Sequence, residues 1–528
     1  MVQSGCPSLR IGAKLRSAPD PSNSGGNRWI DTSSVLPHLG SLTVRGGRIT
    51  IIAQGSSLVV EFVSTLILAR LLTPDDFGIV GMMAAVVGFL GLFRSAGLDL
   101  STIQRDQVSS RQVSGLFWIN VAIGLGLTVV TVLLSPLVSL FFERPELTPI
   151  ALALASTFTF GALGVQHRAL LIRRMEHGRR LLAEVMATFI AIGLALVGAL
   201  SGWGHWALVI KIAAIPLLSS TGYWLVCSWR PSLPKRAVLG DLLTFGGTVT
   251  AFNVVTHLAR TLDDILIGKL FGGAALGYYR QAYRILMVPL SGFTSPMASV
   301  VIPTLSRLQS DPDRYRRASC RILEAILLVC SPLAAFLVGS SGYVVVFLLG
   351  DQWSPAGPIL FWLGILVFVQ PLGQFLGWLF ISQDRSQELL RWGIIGSALS
   401  VLSFLAGLPW GVLGVAFAYS LSGLFLRLPL LVWMATRTGP TTWQDIISSS
   451  LAPTMAGGAS LLTVLLLETL RNQVFPGFRL APASGTLMAL LTTTVISILM
   501  LLLLPAGRRA LSDARQIFSR ANEKNVGS

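Results

Sequence analysis

The chain has 528 residues, of which 52% are hydrophobic and only 12% are charged, about half the charged share of a soluble domain. Such a chain cannot cover a water-facing surface, so its composition excludes a soluble globular protein and indicates an integral membrane protein. The net charge of +16 does not by itself indicate nucleic-acid binding, because membrane proteins concentrate Lys and Arg in their cytoplasmic loops.

Apolar runs long enough to cross a hydrocarbon core predict an all-α protein with about twelve to fourteen transmembrane helices, and fourteen is the preferred number. Residues 1–48 are polar, basic and rich in Gly, Ser and Pro, which predicts a disordered tail and not a cleavable signal peptide. The predicted helices begin near Ile49, Asp76, Val113, Thr148, Leu181, Trp206, Leu242, Ala275, Ile322, Pro355, Leu389, Gly411, Leu451 and Ser484.

Basic residues fall mainly in the loops on one side of these helices, including the runs "RRMEHGRR" at 173–180 and "DRYRRASCR" at 313–321. The positive-inside rule then places both termini in the cytoplasm, which requires an even number of crossings. Because the distribution of charge follows topology, we expect no nucleic-acid partner. Cys6, Cys227, Cys320 and Cys330 have no metal-binding spacing, and we expect neither a metal site nor a catalytic site.

The stretch "ARLLTPDDFGIV" at 69–80 has a looser copy, "GKLFGGAALGYY", at 268–279. A shift of 199 residues aligns Arg70 with Lys269 and Gly78 with Gly277. Since this shift spans an even number of predicted helices, both copies run in the same direction, and the chain divides into two six-helix halves related by an axis along the membrane normal. Chance similarity among common residues is the alternative.

The repeat sets the predicted domain boundaries. The first half covers residues 49–240 and the second half residues 241–440. An additional helix pair follows at 441–505, and a basic cytoplasmic tail at 506–528. The extra pair lies beyond the twelve-helix repeat, so its role is left open.

Polar residues follow a stripe on the first and seventh predicted helices. Those of the seventh recur at spacings of four, three and four residues, which keeps them on one helix face, and the first helix has a matching stripe. Charges facing lipid near the midplane would cost about 2.5–3.5 kcal/mol each on insertion scales, so the stripes should face a shared wet interior. The stripe residues are Gln54, Glu61 and Thr65 on the first helix, and Asn253, His257, Arg260 and Asp264, with Asp263 beside them, on the seventh.

The eighth predicted helix adds two arginines and two tyrosines to this interior, each pair spaced by four residues: Tyr279, Arg280, Tyr283 and Arg284. Lys211 on the sixth helix completes the predicted cavity. Snorkelling to the outer interface is the alternative for Arg280 and Lys211. A structural ion pair is the alternative for Arg260 with either aspartate, and a packing role is the alternative to a proton site for His257.

Three stretches resemble the flippases for polysaccharides and lipid-linked oligosaccharides (Wzx-type transporters) of the multidrug, oligosaccharidyl-lipid and polysaccharide exporter superfamily. They are "ARLLTPDDFG" at 69–78, "DDILIGKLFGGAALGYYRQAYRI" at 263–285 and "VIPTLSRLQSDPDRYRRA" at 301–318. The resemblance covers about residues 49–437. It implies a two-lobed bundle whose central cavity opens alternately to the two sides of a bacterial inner membrane.

The implied substrate is a polyprenyl-diphosphate-linked oligosaccharide repeat unit used to assemble surface polysaccharide. With this substrate in the cavity, the arginines would contact the diphosphate, with Asn253, Gln54 and Lys211 beside them, and the two tyrosines would contact sugar rings. Glu61 or Asp264 would exchange a coupling H⁺ or Na⁺, if any ion is used, and no other cofactor is expected. Membrane lipid and a polysaccharide polymerase or export machinery are the expected partners.

Two other functions remain as alternatives. A multidrug or metabolite exporter of the same superfamily would prefer an acidic, aromatic-lined cavity, whereas the predicted cavity has an excess of basic residues. A membrane glycosyltransferase or polymerase acting on the same lipid would need a larger outer domain carrying catalytic carboxylates. We therefore expect a transporter and not an enzyme.

Overall fold

The structure is a computed structural model, and it describes the following parts of the chain: residues 39–94, 98–104, 108–233, 240–474, 480–504 and 507–508. Within these parts, the side chains of residues 39–54, 100–101, 104 and 240–260 lie outside the description. Every regular element in the described residues is helical, as the sequence predicts.

Sixteen α-helices are assigned in the described residues. In chain order they are α1 (Leu39–Leu71), α2 (Pro74–Gly91), α3 (Leu98–Gln104), α4 (Ser110–Phe142), α5 (Leu147–Arg173), α6 (His177–Leu200), α7 (His205–Val226), α8 (Gly240–Arg307), α9 (Pro312–Gly339), α10 (Ser341–Leu349), α11 (Ala356–Ser382), α12 (Ser386–Gly407), α13 (Gly411–Ser422), α14 (Leu428–Thr436), α15 (Trp443–Val474) and α16 (Pro482–Leu503).

Eleven helical segments of the described residues are long and apolar enough to cross a membrane. Two of them, Thr261–Arg307 with 47 residues and Ser386–Thr436 with 51, are about twice as long as one crossing requires. The protein is therefore a multi-pass membrane protein, while the number of fourteen crossings stays a prediction. The first helix begins at Leu39 and not near Ile49, so it includes residues predicted as tail; Leu39, Leu42 and Val44 continue its apolar character.

The repeated stretch at 69–80 ends α1 and starts α2. Thr73 caps α2: its hydroxyl accepts from the backbone N–H of Asp76 at 3.2 Å, and the Asp76 carboxylate accepts from the Thr73 N–H at 2.9 Å. Pro74 occupies the first helical turn, where a missing N–H has no cost. In the second copy, Gly272 has φ +84°, a left-handed conformation suited to glycine, and it divides α8 into two helical parts.

The two copies pack against each other reciprocally. A Cβ on Gly78 would lie 1.7 Å from the carbonyl oxygen of Gly273, and a Cβ on Gly277 would lie 2.1 Å from that of Pro74. Gly78 and Gly277 are equivalent under the 199-residue shift, and so are Pro74 and Gly273. An interface in which residue i contacts j while their counterparts contact each other in reverse is the signature of a two-fold axis. The predicted two-fold relation between the halves is confirmed at this contact.

Further hydrogen bonds cross between the halves at the same end of the bundle. Arg70 donates to the Phe347 carbonyl at 2.5 Å, and its repeat counterpart Lys269 contacts Glu143 at 2.6 Å. The indole N–H of Trp353 donates to the Ala69 carbonyl at 2.7 Å. We call this end of the bundle the junction side. The halves are closed against each other there.

The additional helix pair packs on the second half. Gly457 of α15 lies against α9, since a Cβ at this position would lie 2.8 Å from the Ser331 carbonyl oxygen. A hydrogen bond of 2.7 Å between the hydroxyls of Ser460 and Ser497 joins α15 to α16. Asp445, in the first turn of α15, accepts two hydrogen bonds from Arg316 at 2.7 and 2.6 Å. The pair is therefore held to α9 at two places along α15, through Asp445 in its first turn and through Gly457 further along the helix.

Candidate functional site

A cavity of about 1060 Å³ lies between the two halves. It begins below the junction, beside Phe77, and reaches Leu389 and Leu431, which lie near the helix ends on the opposite side. Its lining forms two walls of different chemistry. The charged wall consists of Glu61, Gly81, Lys211, Asp263, Asp264, Tyr279, Arg280, Gln281, Tyr283 and Arg284; the glycine-rich wall consists of Gln370, Gly373, Gln374, Gly377, Trp392, Gly393, Gly396, Ser397, Ser400, Tyr419, Gly423 and Arg427.

Glu61 is the centre of the charged wall. One of its carboxylate oxygens accepts from the Lys211 ammonium group and from the Arg284 guanidinium group, both at 2.9 Å. Lys211 also donates to the Ser64 hydroxyl at 3.1 Å and is only 6% exposed. A buried ammonium group requires a charged partner, and the Glu61 carboxylate compensates the charge of Lys211.

The second charge group of this wall joins α8 to α2. Arg280 contacts the Asp264 carboxylate at 3.5 Å and donates to the Gly81 carbonyl at 2.8 Å. Residues 81 and 280 differ by 199, so this hydrogen bond joins repeat counterparts and lies on the two-fold axis. A Cβ on Gly81 would lie 2.9 Å from an Arg280 nitrogen, so glycine provides the space for the guanidinium.

Asp263 faces a different partner from its neighbour. Its carboxylate accepts from the Tyr279 hydroxyl at 2.9 Å and from the backbone N–H of Asp264 at 2.9 Å. Tyr279 is 1% exposed, so its hydroxyl supports a buried carboxyl group. In this position Tyr279 is a wall residue with little ring surface for contact with a sugar.

Eight of the twelve predicted site residues line this one cavity: Glu61, Lys211, Asp263, Asp264, Tyr279, Arg280, Tyr283 and Arg284. The other four lie outside the described side chains: Gln54, Asn253, His257 and Arg260. The alternative that Lys211 snorkels to the outer interface is wrong, because its ammonium group is buried and contacts the Glu61 carboxylate. The alternative of an ion pair between Arg260 and either Asp263 or Asp264 lies outside the described side chains. Asp264 contacts Arg280.

Sequence analysis missed the glycine-rich wall. A Cβ on Gly377 or Gly393 would meet no atom within 4 Å, so both glycines border open space. One signal was present in the sequence: Arg427 stands alone in the apolar run "LSGLFLRLPLLVW" at 421–433, and a charge inside a membrane segment is a candidate functional residue. Glycine spacing alone gives no comparable signal, because glycines also permit helix packing.

The described lining has four basic side chains and three acidic ones, so its charge balance is slightly positive. Within the described residues, no group of three or more His, Cys, Asp or Glu side chains is placed to hold a metal ion. The arrangement can therefore bind a polar, anionic group in a water-accessible chamber between two apolar lobes.

Known proteins share both the sequence pattern and the fold. Residues 67–358, more than half of the chain, match the family model described as "Polysaccharide biosynthesis protein". The lipopolysaccharide biosynthesis protein WzxC of Escherichia coli (strain K12) is 23% identical over 387 residues, 72% of this chain and 78% of its own. The succinoglycan biosynthesis transport protein ExoT of Rhizobium meliloti (strain 1021) is 23% identical over 458 residues, 80% of this chain and 92% of its own.

Two solved structures have the same fold. The lipid II flippase MurJ in an inward closed conformation matches with a TM-score of 0.65 at 15% identity, covering 86% of this chain and 98% of its own. An inward-facing multidrug resistance transporter of the MATE family matches with a TM-score of 0.53 at 14% identity, covering 78% and 98%. The resemblance that the sequence motifs indicated is confirmed, and the chain belongs to the polysaccharide biosynthesis protein family.

Proposed function

We propose that the protein is a flippase that moves polyprenyl-diphosphate-linked oligosaccharide repeat units across the bacterial cytoplasmic membrane for surface polysaccharide biosynthesis. The observation that carries this proposal is the cavity between two reciprocal halves, lined by guanidinium and ammonium groups. Arginine suits phosphate oxygens through paired hydrogen bonds, and the cavity offers Arg280, Arg284 and Lys211 on one wall. The prenyl chain would stay in the lipid while the headgroup occupies the cavity.

The junction supports alternating access as the mechanism. The halves contact each other at the junction through backbone-to-glycine packing, whereas the cavity extends towards the opposite side. Under the predicted topology, with both termini in the cytoplasm, the closed junction faces outward and the cavity extends towards the cytoplasm. Rocking of the two halves against each other would then open the junction and present the headgroup outside.

The charge pairs provide a route for coupling to an ion. Glu61 accepts from two cations, and Asp264 contacts Arg280. A headgroup phosphate that takes up one of these cations would release carboxylate oxygens for H⁺ or Na⁺. The membrane potential, negative inside, adds about 2.3 kcal/mol per 100 mV for each negative charge moved outward. No covalent step is part of this proposal. A polysaccharide polymerase or export machinery remains the predicted protein partner.

The names of the related proteins support this substrate class over a cationic drug. WzxC acts in lipopolysaccharide biosynthesis, ExoT is a succinoglycan transport protein, and MurJ is a lipid II flippase. The MATE match shows that the fold also serves multidrug transport, so the fold alone does not decide. Among the described lining residues, four basic side chains against three acidic ones give the cavity the sign expected for an anionic headgroup.

The proposal can be tested with purified full-length protein in lipid vesicles containing a fluorescent prenyl-diphosphate disaccharide. A membrane-impermeant quencher reports the fraction of labelled lipid in the outer leaflet over time. We expect wild-type protein to move the lipid and Arg284→Ala to lose at least tenfold in rate, since this variant removes a guanidinium group that the cavity offers to the diphosphate. Arg437→Ala is the matched control, because Arg437 also pairs with a glutamate, Glu388 at 3.2 Å, but does not line the cavity.

Two results would overturn the proposed function. In one, vesicles with wild-type protein move the labelled lipid no faster than vesicles without protein. In the other, the protein moves a cationic dye but not the lipid, which would assign it to the drug exporters.

A further inference from the structure

The glycine-rich wall contains a helix irregularity at its only charged residue among those described. Between α13 and α14, residues Gly423–Arg427 form a π-helical turn. Such turns are rare and occur often at functional sites, because they rotate the following side chain away from its regular helical direction. A Cβ on Gly423 would lie 2.9 Å from an Arg427 nitrogen and 2.4 Å from Leu366, so glycine leaves the guanidinium its space.

The guanidinium of Arg427 is oriented by neutral groups. One terminal nitrogen donates to the Ser400 hydroxyl at 2.9 Å, and the other donates to the Tyr419 carbonyl at 2.7 Å. The guanidinium carbon lies 4.1 Å from the centre of the Tyr419 ring, a cation–π distance. These contacts fix the plane of the group without neutralising its charge.

Arg427 differs in this respect from the other basic residues of the cavity. Lys211 and Arg284 contact Glu61, and Arg280 contacts Asp264. Within the described part of the chain, Arg427 has no carboxylate partner, and its Nε is buried without a hydrogen-bond acceptor. A guanidinium has five N–H groups, and the described acceptors account for two of them. A fixed, charged group with remaining donors in a wet cavity is suited to an oxyanion ligand.

The surroundings of Arg427 have the chemistry of a carbohydrate subsite. Gln370 and Gln374 contribute amide groups to the same wall, and Trp392 contributes an indole. Gly377 and Gly393 border open space, which leaves room for a ring beside these groups. Amides bind hydroxyl groups, and an indole provides an apolar face with a polar edge.

We propose that Arg427 binds an oxyanion of the transported headgroup and that the amides and Trp392 of the glycine-rich wall contact the adjoining sugar. This proposal rests on the proposed function, and it places an anchor on the glycine-rich wall, apart from the paired charges. The oxyanion is either a phosphate of the diphosphate linkage or the carboxylate of an acidic sugar. A phosphate is tetrahedral and a carboxylate is planar, and each can accept hydrogen bonds from two N–H groups of one guanidinium.

A binding experiment on full-length protein in nanodiscs separates these sources. The probes are inorganic pyrophosphate, a disaccharide containing glucuronic acid, and a neutral disaccharide of the same size, titrated at low ionic strength. The variants are Arg427→Gln, which removes the charge, and Arg427→Lys, which keeps the charge but loses the planar fork of donors. Arg230→Gln is the matched control: Arg230 lies 5.1 Å from the Trp224 ring centre and donates to carbonyls, as Arg427 does with Tyr419, but it does not line the cavity.

We expect Arg427→Gln to weaken at least one anionic probe tenfold or more, Arg427→Lys to weaken it less, and Arg230→Gln to bind as wild type. Pyrophosphate sensitivity assigns the diphosphate, and uronate sensitivity assigns an acidic sugar. The proposal is overturned if Arg427→Gln binds both anionic probes within twofold of wild type, or if wild-type protein binds neither. Thermal unfolding of each variant verifies that it is folded.

The vesicle assay distinguishes failure of this proposal from failure of the proposed function. If wild-type protein moves the labelled lipid and Arg427→Gln moves it at the same rate, Arg427 is not an anchor, and the flippase function stands. If wild-type protein moves no lipid but binding still depends on Arg427, the oxyanion site stands, and the flippase function fails.

Discussion

The two walls of the cavity use charge in opposite ways. On the charged wall, Lys211 and Arg284 contact the Glu61 carboxylate of another helix, and Arg280 contacts Asp264 across the break at Gly272 in α8. On the glycine-rich wall, Arg427 is held by a hydroxyl, a carbonyl and an aromatic ring. The first arrangement holds helices together, and the second keeps a charge available.

The difference indicates a division of tasks within one cavity. Paired charges on the first wall join α1, α7 and α8, so their partners must be exchanged when the halves move or when a ligand enters. The glycine-rich wall offers open space and a positioned cation without any exchange of partners. Substitutions on the charged wall should therefore lower the stability of the protein. Substitutions that fill the open space beside the glycine-rich wall should lower the transport rate and leave the stability unchanged.

The largest effect on stability is expected at Glu61. Glu61→Gln leaves the buried Lys211 ammonium and Arg284 without their carboxylate, and breaking a buried pair in this way costs about 3 kcal/mol. Lys211→Gln leaves Glu61 its hydrogen bond to Arg284, so we expect a loss of only about 1 kcal/mol. Thermal and denaturant unfolding of the purified variants, in one detergent, measure this difference.

The double variant sharpens this result. Glu61→Gln with Lys211→Gln removes the buried charge together with its partner, so it should be more stable than Glu61→Gln alone. If the two single variants lose the same free energy of unfolding, the prediction of a larger loss for Glu61→Gln is wrong. Water, and not Glu61, would then compensate the charge of Lys211.

A second, smaller effect is expected at the glycines that bring α2 and α8 together. Gly78→Ala places a methyl group on the Gly273 carbonyl oxygen, where backbone on both sides prevents relief, and overpacking of this kind costs about 1–3 kcal/mol. As α2 moves from α8, Arg280 loses its hydrogen bond to Gly81, and the lipid transport rate falls with it. Unfolding and vesicle transport measure the two losses.

Two further alanine variants serve as controls for this prediction. Gly277→Ala should cost about as much as Gly78→Ala, because it meets the Pro74 carbonyl oxygen in the reciprocal contact. Gly193→Ala on α6 should cost nothing, since a Cβ there meets no atom within 4 Å. If Gly277→Ala, like Gly193→Ala, leaves the free energy of unfolding unchanged, the two reciprocal contacts of the junction do not contribute equally to stability.

The charged wall was accessible from the sequence because charges in apolar segments are conspicuous and helical spacing assigns them to a face. Glu61, Asp264 and Arg284 were placed in one interior on that basis, and they line one cavity. Their pairing was not accessible. Spacing predicts neighbours within a helix, whereas Glu61 pairs with residues 150 and 223 positions away through the arrangement of the helices.

Apart from the signal at Arg427, the glycine-rich wall was not predictable from the sequence, for a different reason. Gly78 and Gly393 look alike in a sequence, but one touches backbone and the other borders open space. Only the packing of the helices decides between these environments. Likewise, the junction motif predicted a repeat, but the reciprocal contact of Gly78 with Gly273 requires the two halves to be assembled.

The smallest effect on stability, with a large effect on transport, is expected at Gly393. A side chain at this position enters open space, so Gly393→Trp should change the free energy of unfolding by less than about 0.5 kcal/mol, as for substitutions that disturb no packing. The indole would occupy the cavity beside Trp392, where the proposed sugar lies, and we expect the vesicle transport rate to fall at least tenfold. Gly126→Trp on α4 is the control, because Gly126 also has no atom within 4 Å but lies on an exposed surface away from the cavity. Unchanged transport by Gly393→Trp would mean that the headgroup passes along the charged wall alone, and the assignment of the glycine-rich wall to the sugar would then be wrong.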